Sequence, residues 1–149
     1  MNEFSELTEA IKADLHGVSS RIHANPEVAF HETKSAGELI SFLERQGFHP
    51  ERNFKGVETA FSVSAEVCGG GPSVLFLCEY DALPELGHAC GHNLIAVSSA
   101  AAFVSAVRYA EKHQLPGKFT LMGTPAEESL GGKVVLKERG AFRDSTFVS

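Results

Sequence analysis

The run from Val74 to Cys78, V-L-F-L-C, is apolar at every position. A strand without a polar face must be covered on both sides, so it calls for a sheet with layers above and below it. After an intervening polar loop, Leu94 to about Lys112 is rich in Ala and Ser, with Val97, Val104 and Val107 among its larger apolar residues, and reads as a helix with Asn93 as its N-cap. Leu115-Pro116-Gly117 ends that helix, and Lys118 to Gly123 reads as the next strand. Strand, crossover helix and strand make a parallel pair with a right-handed connection. The loops that follow the two strands then open on the same rim of the sheet, where open α/β folds place their ligands.

The rest of the chain fits an α/β sheet layered with helices. Leu7, Ile11, Leu15, Val18 and Ile22 recur at helical spacing, which predicts one amphipathic helix from Glu6 to Ala24, ended at Asn25-Pro26. A second helix is expected from about Glu32 to Gln46, with Gly47 as its left-handed cap. Alternation at Thr59, Phe61, Val63, Ala65 and Val67 predicts a strand over Glu58 to Val67, and Gly69 to Pro72 reads as a hairpin turn into the apolar strand. Near the end, Lys133 to Arg139 reads as a short helix closed by Gly140, and Ser145 to Ser149 as the beginning of a strand. A length of 149 residues suits a single domain.

Composition narrows the function. Thirteen basic and 19 acidic residues leave a net charge of -6 with no basic cluster, which argues against nucleic acid as a partner. The acidic, periodic N-terminus is unlike a secretion signal, and the longest apolar stretch, Leu94 to Val107, is short for a bilayer span and holds three serines. A cytoplasmic protein without membrane contact is the expectation. Three cysteines argue for reduced thiols, with Cys68 and Cys78 in core positions.

The chemistry concentrates in the two loops. Glu79 to His92 reads E-Y-D-A-L-P-E-L-G-H-A-C-G-H, and the second strand leads into T-P-A-E-E. In extended backbone Cys90 and His92 share a face, and zinc takes sulfur, nitrogen and carboxylate oxygen together. Neighbouring Glu127 and Glu128 divide between a metal ligand and a base for metal-activated water, the chemistry of amide hydrolysis. Each feature alone has a plainer reading: Cys90 as a buried thiol, the glutamates as a solvated helix start, Asp81 beside Pro84 as turn chemistry. Their joint placement at the ends of two parallel strands favours the site. His88 is left unassigned.

With these segments in view, the sequence resembles the aminoacylase and carboxypeptidase-like zinc metallopeptidases. The similarity is to the amidohydrolase branch that holds aminobenzoyl-glutamate, auxin-conjugate and β-alanyl-dipeptide hydrolases. The resemblance rests on H-A-N-P-E at His23 to Glu27, E-Y-D-A-L-P at Glu79 to Pro84, G-H-A-C-G-H-N-L at Gly87 to Leu94, G-T-P-A-E-E at Gly123 to Glu128, and the G-G-K and R-G-A-F that follow. It implies a zinc-exopeptidase-like mixed sheet layered with helices, zinc or another divalent ion such as manganese, and a dipeptide or N-acyl amino acid as substrate. It implies Cys90, His92 and Glu128 as metal ligands, Glu127 as general base and a supporting role for Asp81. Glu79 stands where many relatives carry a metal-binding His, and it is given no ligand role.

Full members of that family continue past this point with further His ligands and a small domain that dimerises and covers the substrate. The expectation for residues 1–149 is therefore the truncated N-terminal portion of a catalytic domain, lacking that dimerisation domain. Two other readings stay open: an inactive truncated product, and a structural metal-binding module that would leave Glu127 without work. An unfinished sheet would also expose an edge, an association hazard.

Overall fold

The computed structural model describes residues 2–129, 131–143 and 147–148. In chain order the helices are α1 (Glu3–Glu9), α2 (Lys12–Ala24), α3 (Thr33–Arg45), α4 (His92–His113) and α5 (Gly132–Glu138), and the strands are β1 (Glu51–Arg52), β2 (Phe61–Val67), β3 (Ser73–Cys78), β4 (Gly117–Gly123) and β5 (Phe147–Val148). The strands form one mixed sheet in the order β1-β2-β4-β3-β5. As the crossover predicts, β3 and β4 are parallel neighbours, and their register pairs Cys78 with Gly123. Both polar loops therefore leave the sheet at the same level.

The expected hairpin is not there. β4 lies between β2 and β3 and pairs antiparallel with β2 from Phe61↔Gly123 to Val67↔Gly117. The glycine cluster instead carries the chain across the start of β4. Gly69, Gly70 and Gly71 have φ of +64°, +71° and +82°, and a Cβ on Gly71 would run into the Pro116 carbonyl. Lys118 N–H donates to the Pro72 carbonyl at 2.9 Å, which seals the crossing. Two strands flanking a glycine cluster look alike in sequence whether they pair directly or admit a third strand between them. Cys68 begins this crossing and is exposed, whereas Cys78 is buried, so only one of the two thiols sits in the core.

The single long helix expected at the N-terminus is two. Ile11 N–H reaches back three residues to Thr8 O at 3.2 Å, tightening the turn and breaking the helix between α1 and α2. No Gly or Pro marks the break; tertiary contacts made by α1 accompany it. The Thr8 hydroxyl meets that of Ser105 on α4 at 3.0 Å, Glu3 pairs with Lys112 and His113, and Phe4 packs edge-on to Tyr109. The end of α3 follows expectation: Gly47 at φ +90° closes it, with Phe48 N–H bonded to Leu43 O and Gly47 N–H to Glu44 O, both at 3.0 Å. At its start, the Glu27 carboxylate accepts the Lys34 and Ser35 N–H groups at 3.0 and 2.8 Å, so H-A-N-P-E serves as a remote helix cap. The Glu27 carbonyl accepts Ala82 N–H at 2.8 Å, tying that segment to the loop after β3.

One face of the sheet carries the main core, in which Leu15, Val18 and Ile22 of α2, Leu39, Phe42 and Leu43 of α3 and Phe103, Val104 and Val107 of α4 pack over Phe61, Val63 and Leu121. On the other face Leu75 and Met122 meet Leu136 of α5 in a smaller cluster. β3 is covered on both sides, as its composition requires. The remainder of the second face is polar, with Ser64 and Thr120 hydroxyls bonded at 2.7 Å beside an open concavity. α4 is long and apolar enough by length and composition to cross a membrane, but half of its apolar window is buried and it serves as the core helix. Asn93 does not cap it. Gly91 occupies that position at φ +77°, and the Asn93 amide donates to Ser19 Oγ on α2 at 2.9 Å.

The glycine crossing is open to a direct check. Gly70→Ala, which meets nothing within 4 Å, is expected to cost only the left-handed conformation, about 1–2 kcal/mol. Gly71→Ala adds a clash with backbone and is expected to lower the urea midpoint clearly further.

Candidate metal centre

The site is assembled by two loops that hold each other. The first leaves β3 at Glu79, buries Tyr80 with its hydroxyl donating to Thr59 O at 2.6 Å, and presents Asp81, whose exposure is 1%. A short bridge between Leu83 and Gly87 folds the loop back, and Gly91 turns it into α4, whose first residue is His92. The second loop leaves β4 with Thr124 N–H bonded to the Cys78 carbonyl at 2.8 Å, passes through Ala126 at φ +59°, and brings Glu127 and Glu128 over the same rim.

Asp81 is the junction. Its Oδ1 and its carbonyl oxygen face His92 Nδ1 at 3.0 and 2.9 Å, and its Oδ2 accepts Glu128 N–H at 3.0 Å. Both oxygens facing Nδ1 are acceptors, so Nδ1 donates to Asp81 and the ring is held with Nε2 turned to the opposite side. Around Nε2 stand Glu79 Oε2 at 3.5 Å, Glu128 Oε1 at 3.5 Å and Glu127 Oε2 at 3.8 Å. Ligand atoms of Glu79, His92 and Glu127 all lie within 4.8 Å of one another, a spacing that can hold one cation. Lys133, from G-G-K on α5, is paired with Glu79 and lies 3.8 Å from Glu127 Oε1, partly balancing the negative charge.

The structure thus brings together His92, Asp81, Glu127 and Glu128, and adds Glu79, to which the sequence assigned no ligand role. Its place directly after a strand that ends on the functional rim was the available signal. Two geometric expectations do not hold. Cys90 and His92 do not lie along extended backbone, because Gly91 is left-handed between them; Cys90 is exposed and His92 buried. Glu127 and Glu128 sit in a turn, and both side chains approach His92 Nε2 rather than pointing apart. Cys90 does not belong to the group of converging ligand atoms, which holds Glu79, His92 and Glu127; the nearby Glu128 carboxylate pushes its thiol above the ordinary pKa. A cation would reverse that effect, since a coordinating thiol gives up its proton.

His88 is buried, with neither ring nitrogen hydrogen-bonded, and its ring stacks on that of His23 with centroids 6.2 Å apart. Burial, and then the neighbouring His23, hold its pKa below the usual value. Lys133 is a second residue that the sequence did not single out, and the G-G-K already noted was its only trace.

Comparison with known proteins adds relatives. No family model matches the chain. It is 42% identical over 141 residues to the Xaa-Arg dipeptidase of Mus musculus, covering 87% of this chain and 32% of that protein. It is 32% identical over 158 residues to a p-aminobenzoyl-glutamate hydrolase chain of Escherichia coli K12, covering 93% and 32%. The crystal structure of a dinuclear metal-binding peptidase from Bacillus subtilis shares the fold with a TM-score of 0.76 at 20% identity, covering 94% of this chain and 42% of that one. Its curated relatives are thus dipeptidases and amide hydrolases, in keeping with the resemblance to the aminoacylase and carboxypeptidase-like metallopeptidases. It spans about a third of the length of the curated relatives it matches.

Removing Asp81 takes away the carboxylate partner of His92 and the anchor of the Glu128 backbone together. Asp81→Ala is expected to weaken zinc binding by about 10–100-fold, the usual cost of losing such a supporting carboxylate, as measured by competition with a chromogenic chelator.

Proposed function

We propose that these residues form the N-terminal portion of the catalytic domain of a metal-dependent hydrolase. In this reading it cleaves an amide bond in a dipeptide or N-acyl amino acid. One observation carries the reading: an imidazole with its Nδ1 fixed by a buried aspartate turns Nε2 toward carboxylates from two separate loops. A single imidazole has little need for three carboxylates gathered around one of its nitrogens. A cation satisfies all of them.

The donor chemistry fits a divalent ion. Imidazole nitrogen from His92 and the carboxylate oxygens gathered around it suit zinc or manganese, with Glu128 as the expected carboxylate ligand and Cys90 as a sulfur ligand that would have to turn inward to join. Glu79 stands close enough to serve as a further ligand. When bound, such an ion polarises a carbonyl and lowers the pKa of a coordinated water.

The residues of this chain supply the rest. Glu127 is exposed at the mouth of the cluster, where its carboxylate can take a proton from water as the oxygen attacks the amide carbon. As the C–N bond breaks, Glu127 returns that proton to the departing nitrogen, yielding an acid and a free amine. Asp81 keeps His92 in one tautomer and holds the turn that carries Glu128. Lys133 sits beside Glu79 and Glu127, where it tempers the charge of the cluster. The mouse relative is named for Xaa-Arg dipeptides and the bacterial one for p-aminobenzoyl-glutamate, both amides of an amino acid.

Incubation of the zinc- or manganese-loaded protein with dipeptides and N-acyl amino acids, with release of free amino acid as the readout, tests this reading. Glu127→Gln is expected to lower turnover by about 10²–10⁴-fold while metal content stays at the parent level; full turnover in that variant would remove the assigned base. A second reading is metal binding without turnover, for which the converging Glu79, His92 and Glu127 suffice. It predicts stoichiometric metal and no product from any of these amides.

A further inference from the structure

Glu32 is a carboxyl group in an unusual place. It has 0% exposure, and Oε1 accepts Ala126 N–H at 2.8 Å, while Oε2 and the Thr59 hydroxyl beside it have no hydrogen bond of good geometry. Burial pushes its pKa above the ordinary carboxylate value. Such a group is costly to keep in a core. Capping does not account for it, because Glu27 already takes the first-turn N–H groups of α3 and Glu32 makes no side-chain cap bond.

What Glu32 holds explains it better. Ala126 has φ +59°, a left-handed conformation that costs a residue with a Cβ about 1–2 kcal/mol. Its N–H is bound by Glu32 and its carbonyl accepts Gly132 N–H at 3.0 Å, so the peptide is gripped on both sides. Gly132 can come so close because it lacks a Cβ, which would collide with the Pro125 carbonyl. The next residue is Glu127. If Ala126 relaxed to an ordinary conformation, the chain beyond it would swing and carry Glu127 and Glu128 away from His92 Nε2.

We propose that Glu32 is a positioning residue: its buried carboxyl group holds Ala126 left-handed and so aims the Glu127–Glu128 pair at the His92 imidazole. This deepens the metal-centre reading and rests on it for its functional consequence, though the backbone claim can be tested without metal.

The experiment compares the parent with Glu32→Leu, Glu32→Gln, Ala126→Gly and the Glu32→Leu/Ala126→Gly double variant. The readouts are the hydrogen-exchange protection of the Ala126 amide without metal, and Co²⁺ affinity followed by its visible absorption. Glu32→Gln retains an acceptor oxygen and is expected to keep both properties near the parent's. Glu32→Leu is expected to lose the protection and to weaken Co²⁺ binding by about tenfold, the equivalent of the released left-handed strain. Ala126→Gly accepts a positive φ without penalty, so the double variant is expected to recover most of that affinity, which a general loss of packing would not do. Should Glu32→Leu fail to fold, Glu32→Asp, which draws the acceptor back by one methylene, is expected to shift both readouts in the same direction. Parent-like protection and affinity in Glu32→Leu, or no recovery in the double variant, would overturn the proposal. A parent protein that binds no Co²⁺ would instead overturn the metal-centre reading, and the Ala126 protection would still decide the role of Glu32.

Discussion

One buried carboxylate joins the two halves of the site. Asp81 binds the His92 ring with one oxygen and the Glu128 backbone with the other, so loops from two different strands share a single anchor. At 1% exposure this group is shielded from competing water, and its bonds are correspondingly strong and directional. The parallel pairing of β3 with β4 brings the loops to the same level; Asp81 then locks their angle. Without the register the anchor could not reach, and without the anchor the register would leave two loops free to separate.

Around that anchor the chain uses remote groups to finish its turns. Glu27 caps α3 from the preceding segment, Gly91 rather than a polar side chain opens α4, and Ala126 takes a left-handed conformation held by Glu32. Each device frees a nearby side chain for other work. Asn93 can bridge to Ser19 because it is not capping, and His92 can open its helix facing the carboxylates because Gly91 makes the sharp turn before it.

The layered α/β plan was readable from sequence because it depends on local pattern: an apolar run, a helix rich in small residues, another strand. The parallel pair and the shared rim followed from chain geometry. Strand order was not readable, since β4 enters between β2 and β3 through a pairing that spans Phe61 to Gly123, and the glycines at the crossing look the same as those of a hairpin. Within the site, residue identity was more legible than conformation. His92, Glu127 and Glu128 stood out by type and spacing and Asp81 through the family resemblance, but Cys90-Gly91-His92 and Ala126-Glu127-Glu128 both turn at a left-handed residue that no periodicity reveals. Glu32 gave no sign of its burial because a glutamate ahead of a helix is ordinarily a solvated one.

The inserted β4 also sets how far apart in the chain the sheet's partners lie. β2 emerges early during synthesis, yet among the described residues its one long partner is completed at Gly123, beyond all of α4. Until then β2 has the two residues of β1 to pair with, and most of its backbone donors and acceptors face water. Closing so distant a pairing is entropically slow. The sheet's long antiparallel ladder is thus also a distant pairing, and completing it waits on the whole of α4.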